Sequence, residues 1–350
     1  MEHHFKAVEG AGDRARDHQR GLSSAACRTT LRVPHATAGM IEAARRVMSV
    51  VDTELYQVEE PPSGMGMVLV HALTGFVDAG QAGHLAVAHL LANLEHRVVA
   101  TFDIDQLLDY RSRRPMMIFE EDRWAGYERP KLAVYEVEDC SGTRFLLLSG
   151  PEPDLQWERF ADAVLELVND FGVSLTVGLG AVPMAVPHTR PVMVTAHATR
   201  RELISGYQQW FNTVQVPGHA GALVELRLGE LGHDAMGFVV HVPHYLARME
   251  YPESARGLLE HLARSSGLDL PVDALVPAAQ RVLEEVNERL ARSPQVMSVV
   301  ANLEQQFDAV MNESQQRPML SANSGPLPTG DEIAAELEQF LAEQDGQSGN

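Results

Sequence analysis

Cysteine is scarce in this sequence, and long apolar runs are missing. Its 350 residues include two cysteines, too few for a disulfide framework or a cysteine-based metal cluster. No stretch of about 18 or more apolar residues occurs, so we predict no membrane span. The N-terminal region lacks the apolar segment that is typical of a secretory signal, so we expect no such signal. These absences favour a cytoplasmic protein.

Positive charge is also in short supply. The chain has 28 Lys and Arg against 48 Asp and Glu, which gives a formal net charge of −20. Nucleic acids and anionic membranes bind clustered Lys and Arg, so we expect neither as a partner. The body of the chain has one basic cluster, formed by Arg111, Arg113 and Arg114. It is either a contact for a phosphate or a partner carboxylate or, as we favour, a solvated or ion-paired loop.

The common catalytic and cofactor motifs are missing as well. The sequence has no G-x-S-x-G nucleophile motif, no G-x-x-x-x-G-K-[ST] phosphate loop and no G-x-G-x-x-G after a strand. We therefore predict no catalytic residues and no cofactor. Asp103 and Asp105 could form an acid–base pair. We favour the alternative that Asp105 caps a helix.

The histidines do not follow a metal-binding pattern. His241 and His244 lie together in HVPH, and His84 and His89 lie in one predicted helix, without an H-E-x-x-H pattern. We predict ordinary hydrogen-bonded histidines and no metal site.

Strand and helix patterns alternate from residue 50 to 267. MVLVHAL (67–73) is a short apolar run typical of a buried strand. The helix after it is predicted to begin at Asp78, with Gln81 completing a capping box. Continued alternation predicts an α/β domain of three layers with a mostly parallel sheet. Residues 105–130 contain prolines and glycine and are predicted to be irregular.

Three further segments flank this core. Residues 1–49 predict a disordered basic tail, in which Met48 is an alternative start to Met1. Residues 268–316 predict a helical hairpin broken at Ser293–Pro294. Residues 317–350 predict a linker, a short acidic helix and a flexible tail.

The stretch GLGAVPMAVPHTRPV (178–192) is typical of a ligand site at a strand end. Glycine at 180 permits close backbone approach, and His188, Thr189 and Arg190 follow in a stiff proline-rich loop. Ligands of α/β sheets bind beyond the carboxyl ends of strands. We expect this loop to share a crevice with the other predicted strand ends, which are Gly75, Asp78 and His244. Ligand binding by this loop is one hypothesis; the one we favour is that Arg190 pairs with an acidic neighbour and that the loop is structural or forms a subunit contact.

Four segments occur in series: GFVDAGQAG, RRPMMIF, GLGAVPMAVPHTRP, and VPHYLA followed by YPESARGLLEHL. Together they resemble the proteasome assembly chaperone 2 family, in particular its actinobacterial branch, and the resemblance covers about residues 52–310. It implies a fold similar to purine nucleoside phosphorylases without their catalytic set. It also implies homo-oligomers, often trimers, with a helical C-terminal extension.

The resemblance further implies a chaperone role on proteasome subunits. Relatives dock on the proteasome through a C-terminal hydrophobic-Tyr-X tail, whereas this sequence ends Gln-Ser-Gly-Asn, so we expect no such docking. Our preferred hypothesis is a non-enzymatic oligomeric chaperone or scaffold with an unknown client. The alternative is a nucleoside- or anion-binding protein, or a phosphorylase- or hydrolase-like enzyme, that uses the Gly180–Arg190 crevice.

Overall fold

An eight-stranded sheet organises the chain. The computed structural model describes residues 55–210, 213–292 and 294–316. The predicted tail over 1–49 and the predicted linker, acidic helix and tail over 317–350 lie outside the described residues. The strands are β1 (Tyr56–Val58), β2 (Val68–Thr74), β3 (His96–Phe102), β4 (Met117–Glu120), β5 (Arg123–Tyr127), β6 (Ala133–Glu138), β7 (Arg144–Pro151), β8 (Leu175–Met184), β9 (Val194–Ala198) and β10 (Ala235–Pro243).

Helices connect most of these strands. They are α1 (Ala82–Asn93), α2 (Ile104–Leu107), α3 (Trp157–Asp170), α4 (Ala220–Glu230), α5 (Pro252–Ser266), α6 (Val276–Ala291) and α7 (Pro294–Gln316). The described residues contain no helix with the length and apolarity that crossing a membrane requires.

The large sheet is parallel at its centre and antiparallel towards its edges. Its order is β1-β3-β6-β7-β2-β8-β10-β9. The pairs β7–β2, β2–β8 and β8–β10 are parallel, and the other pairs are antiparallel. The α/β class is therefore confirmed, and the sheet is a mixed one. The sequence pattern overestimated the parallel share because buried parallel and buried antiparallel strands have similar apolar runs.

Helices cover both faces of this sheet, which gives the predicted three layers. On one face α1 and α5 pack together against β2, β8 and β10, and their apolar side chains join one core cluster. On the other face α3 and α4 pack together, and their apolar side chains join a second cluster. Alternate residues of β2 and β7 supply the two cores, as the two-residue period of a strand requires.

The helical hairpin predicted at the C-terminal end of the core consists of α6 and α7. Proline at position 294 begins α7, in agreement with the preference of proline for the first helical turn. The side chains of Val300 and Leu303 are buried, with 8% and 7% exposure. Nearby apolar residues, Met297 and Val299, are about half exposed, so the hairpin buries one stripe and leaves another in solvent.

The segment predicted to be irregular, 105–130, contains the separate two-stranded hairpin β4–β5. All residues of β4 and most residues of β5 are exposed. The sequence pattern missed these strands because neither alternates between a buried and an exposed face. Asp103, rather than Asp105, caps α2, since its side chain accepts a hydrogen bond from the backbone N–H of Asp105.

Candidate functional site

Of the segments expected to share a crevice, the loop at Asp78, the end of β8 and the turn after β10 lie together. The backbone of Asp78 forms a parallel bridge with Ala181. The backbone N–H of Gly80 donates to Ala247 O at 2.8 Å, and Tyr251 N–H donates to Gly80 O at 2.9 Å. These bonds join the loop before α1 to β8 and to the turn that follows β10.

Residues 187–191, which we call the PHTRP corner, are held by side chains of the same neighbourhood. His188 is buried, and its ring Nε2 lies 3.0 Å from Asn287 Oδ1 while Nδ1 lies 2.7 Å from the Tyr245 hydroxyl. Because the amide oxygen only accepts, Nε2 carries the ring proton and Nδ1 accepts from Tyr245. Both nitrogens of His188 are therefore occupied by partners within the chain.

Arg190 is bound to acidic residues of α7. Its guanidinium donates to both oxygens of Asp308, at 2.8 and 2.7 Å, and approaches Glu304 at 3.3 Å. The hydroxyl of Thr189 donates to the same Glu304. The Asp308 carboxylate raises the pKa of Arg190. This is the acidic pairing that we favoured from the sequence. Anion binding here stays a prediction, and an anion would have to displace Glu304 and Asp308.

Asp78 does not begin α1 as predicted. The residue that precedes α1 is Gln81, which has a φ of 54° and makes no side-chain capping bond. Asp78 instead accepts a hydrogen bond from Gly83 N–H at 2.7 Å, and burial raises the pKa of its carboxyl. The capping-box pattern failed because a turn with left-handed Gly80 and Gln81 intervenes before the helix.

The other predicted residues of the crevice differ in their surroundings. Gly180 lies against Val77, since a Cβ at position 180 would be 3.0 Å from Val77 Cγ1. His244 is exposed and its ring stands edge-on to Tyr245. Gly75 belongs to a different place, beside the buried Glu152 of the β7 end, where an added Cβ would lie 2.7 Å from the carboxylate.

The three arginines of the predicted basic cluster also differ in their surroundings. Arg113 donates to Glu152 O at 2.9 Å and pairs with Asp154 at 2.7 Å. Arg111 and Arg114 have exposed side chains. For Arg113 the ion-paired alternative is therefore what the structure shows, whereas a phosphate or partner contact by Arg111 and Arg114 stays a prediction.

The structure also contains a cluster that the sequence analysis missed. One row across four strands holds His71 (β2), Gly178 (β8), Gly237 (β10) and His197 (β9), because these residues are in register with one another. Residues opposite one another on neighbouring strands point to the same face. Two imidazoles thus flank a pair of glycines on the face that α4 covers.

The glycines are what make room for the rings. A Cβ at Gly178 would lie 2.8 Å from the His71 ring, and a Cβ at Gly237 would lie 2.3 Å from the His197 ring. The signal in the sequence was glycine within strand patterns, which indicates close approach by another group. Without the strand order, nothing related these glycines to the two histidines.

Helix α4 closes the cluster from above. His219 precedes the helix and its Nδ1 accepts from Ala222 N–H at 3.2 Å, while Glu225 accepts from His197 Nδ1 at 2.8–2.9 Å. We call the space between His71, His197, His219 and Glu225 the histidine cleft. Burial lowers the pKa of His71 to about 4 and also lowers the pKa of His219, so both rings are neutral at pH 7.

The histidines that first drew attention have ordinary surroundings. His241 is buried, and its Nε2 lies 2.8 Å from the Thr195 hydroxyl. His89 Nε2 donates to Pro271 O at 2.8 Å and His84 is exposed. In the described ranges no group of three or more His, Cys, Asp or Glu side chains is arranged to hold a metal ion.

Comparison with known proteins identifies the family. The sequence model of the PAC2 family matches residues 72–290. A Mycobacterium tuberculosis protein of unknown function, Rv2714, is 49% identical, with a TM-score of 0.71 over 75% of this chain and 93% of that one. A protein of unknown function from Corynebacterium glutamicum is 38% identical, with a TM-score of 0.72 over 74% and 99%.

A third solved structure is similar to this chain at lower identity. The M. tuberculosis proteasome-assembly chaperone homologue Rv2125 is 26% identical, with a TM-score of 0.61 over 67% of this chain and 100% of that one. Among curated proteins, none matches this sequence. The family match and the solved relatives confirm the resemblance found in the sequence: this chain belongs to the PAC2 family.

Proposed function

We propose that this protein is a non-enzymatic, homo-oligomeric chaperone or scaffold that acts by binding other proteins. Membership of the PAC2 family supports this, as does the similarity to a proteasome-assembly chaperone homologue. The family resemblance suggests a trimer. The scarcity of cysteine supports a cytoplasmic setting.

The observation that carries the proposal is the exposed apolar hairpin, which we define as residues 116–127. Its exposed apolar side chains are Met116, Met117, Ile118, Phe119, Trp124 and Tyr127, each with at least 47% exposure. A contiguous exposed apolar patch is unusual on a soluble monomer and marks surfaces that bind other proteins. A two-stranded hairpin is also only marginally stable alone, so contact with a partner would stabilise it.

The hairpin is anchored at its base. Arg113 ties the preceding segment to the β7 end through Glu152 and Asp154. At the tip, the rings of Phe119 and Trp124 pack edge-on with centroids 5.0 Å apart. An anchored base and a preformed aromatic tip reduce the conformational entropy that binding would otherwise cost.

Self-association tests the oligomeric part of the proposal. We expect the full chain to sediment as an oligomer in analytical ultracentrifugation and Ile118→Lys to shift it towards the monomer, because a buried lysine in an apolar contact is costly. Leu231→Lys is the matched control, since Leu231 is 64% exposed and Ile118 is 59% exposed. A chain that is monomeric at every concentration, or an Ile118→Lys variant as oligomeric as the control, would contradict the proposal.

Client binding tests the chaperone part. The full chain should suppress light scattering from a chemically denatured model protein in a stoichiometric way, and Trp124→Glu should weaken that suppression. Equal suppression by wild type and by Trp124→Glu would show that the apolar hairpin is not the client-binding surface.

A further inference from the structure

The histidine cleft opens into a surface groove. The groove has a volume of about 480 Å³ and is lined by residues of β9 and α4, among them Ala198, Leu226 and Gly229. The two spaces share His197, Ala222 and Glu225. Small-molecule sites usually measure about 300–1,000 Å³, so the groove has the size of such a site with the cleft at its inner end.

His71 is the residue of this site whose ring has no hydrogen-bond partner among the described residues. His71 is buried, with 8% exposure, and it lines the cleft. Its ring makes no hydrogen bond with any residue in the described part of the chain. A neutral imidazole has one donor and one acceptor nitrogen. The His71 nitrogens are not among the fully buried unpaired atoms of the described residues, so they face the open space of the cleft that His71 lines. A ligand in the cleft can therefore form hydrogen bonds with them.

The neighbouring groups present acceptors. The Glu225 carboxylate accepts from His197 Nδ1, and in the neutral form of that ring Nε2 has a lone pair. The carboxylate of Glu225 is 15% exposed and has lone pairs beyond the one that His197 uses. These acceptors would suit a ligand group that carries several N–H donors.

The charges of the residues that line the cleft and the groove also favour a ligand with N–H donors. Among the described residues that line them, none is lysine or arginine. Glu230, at the outer end of the groove, is neutralised by Arg227 at 2.7 Å, which leaves Glu225 as the available charge. His71 and His219 are neutral at pH 7, so neither ring gives an anion a positive partner, whereas a cation would meet the Glu225 carboxylate and imidazole lone pairs.

The size of the cleft and the apolar wall of the groove restrict the class of ligand further. The cleft itself measures about 30 Å³, room for about one or two water-sized groups. An ammonium group is of that size and donates three hydrogen bonds. Alanine at 198 and 222 and the half-exposed Leu226 give the groove an apolar wall on which an alkyl chain would lie.

We propose that the histidine cleft binds the ammonium group of a small primary alkylamine, with Glu225, His197 and His71 as acceptors and the alkyl chain in the groove. The site is separate from the apolar hairpin and does not depend on the chaperone proposal.

The test is a titration of the full chain with n-butylammonium chloride, followed by NMR of the histidine ring Hε1 protons. We expect saturable shifts of the His71 and His197 resonances. n-Butanol and sodium butyrate are matched probes with a neutral and an anionic head. Equal shifts with all three probes, or no shift with butylammonium, would overturn the proposal.

Variants locate the binding. Glu225→Gln should weaken butylammonium binding about tenfold to a hundredfold, as expected for loss of a charged hydrogen bond, and His71→Phe should weaken it as well. Glu202→Gln removes the same charge from the turn at Arg201–Ile204 and should leave the affinity unchanged. An unchanged affinity in Glu225→Gln, with circular dichroism showing a folded protein, would also overturn the proposal. If His71→Phe does not fold, Glu225→Gln and the wild-type ring shifts decide the outcome.

Failure of this proposal is distinguishable from failure of the proposed function. Ile118→Lys should alter sedimentation and leave amine binding intact, whereas Glu225→Gln should do the reverse. A Glu225→Gln variant that also loses its oligomeric state would count against a discrete ligand site.

Discussion

The PHTRP corner and the histidine cleft use the same residue types in opposite ways. At the corner, both ring nitrogens of His188 and most donors of Arg190 are bound by side chains of the chain itself. In the cleft, the ring of His71 is just as buried and makes no hydrogen bond with the described residues. The corner faces α6 and α7, whereas α4 covers the cleft.

The difference separates groups that hold the fold together from groups that remain available. Buried polar groups are nearly always hydrogen-bonded, so an exception calls for an explanation. The satisfied corner is explained by attachment of the helical hairpin to the core. The unsatisfied cleft is better explained by a ligand, because two strand glycines are kept free of side chains to make its space.

The largest effect that we expect is the loss of folding stability at acidic pH, which depends on His71 in the cleft. His71 has a pKa of about 4 in the folded chain against a reference value of 6.5. The unfolded chain therefore takes up the proton first as pH falls. The stability that neutral His71 allows is fully present above about pH 6.5 and is lost towards pH 4, at about 1.4 kcal/mol per pH unit and about 3 kcal/mol in total.

Urea unfolding between pH 7 and pH 4 measures this loss. His71→Gln should flatten the pH dependence by about 3 kcal/mol, whatever its effect at pH 7. Burial lowers the pKa of His241 and His261 to about 4 as well, so part of the slope should remain. A His71→Gln variant with the full wild-type slope would show that the ring is not held neutral in the cleft.

A single substitution at the corner should have the next largest effect. His188→Ala removes a buried ring and leaves the Asn287 amide and the Tyr245 hydroxyl without their partner. We expect a loss of about 2–3 kcal/mol in the free energy of unfolding. His244→Ala, at an exposed position of the same neighbourhood, should change it by less than about 0.5 kcal/mol. Equal losses would mean that the corner is not held by the His188 bonds.

The third largest effect that we expect comes from adding a methyl group at a strand glycine of the cleft. Gly237→Ala places a methyl group 2.3 Å from the His197 ring, and overpacking typically costs about 1–3 kcal/mol. We expect about 1–2 kcal/mol, because His197 is 43% exposed and its ring has solvent to move into.

A double-mutant cycle with His197→Ala checks the cause. If the clash with the ring is responsible, the second substitution should recover most of the loss caused by Gly237→Ala. Additive losses would instead place the cost in the backbone of β10.

The sequence predicted the corner better than the cleft for a physical reason. The corner is local: the residues of PHTRP are consecutive, and the strand end before them is visible as the apolar run Val173–Val177. The α/β class and the helical hairpin likewise follow from periodicities within single elements. What the local pattern did not contain was the acidic partner of Arg190, which lies 118 residues away along the chain.

The cleft depends on strand order, which no local pattern specifies. His71 and His197 are separated in the sheet by β8 and β10, and they come together only because β8 and β10 bring one glycine each to the same row. The apolar hairpin escaped prediction for a different reason. Its strands bury neither face, and the alternation that identifies a half-buried strand is missing.

Two threonines give the smallest and most direct test of the comparison. Thr176 Oγ1 is a fully buried atom that finds no partner in the described part of the chain, and it lies on the same sheet face as the cleft. Thr189 Oγ1 donates to Glu304 at the corner. Replacement by valine removes a hydroxyl in both cases at nearly constant shape. Thr176→Val should therefore raise the free energy of unfolding by up to about 1 kcal/mol, whereas Thr189→Val should lower it by about 0.5 kcal/mol. Thermal unfolding of both variants under identical conditions measures the sign, and two changes of the same sign would break the distinction between a satisfied corner and an unsatisfied cleft.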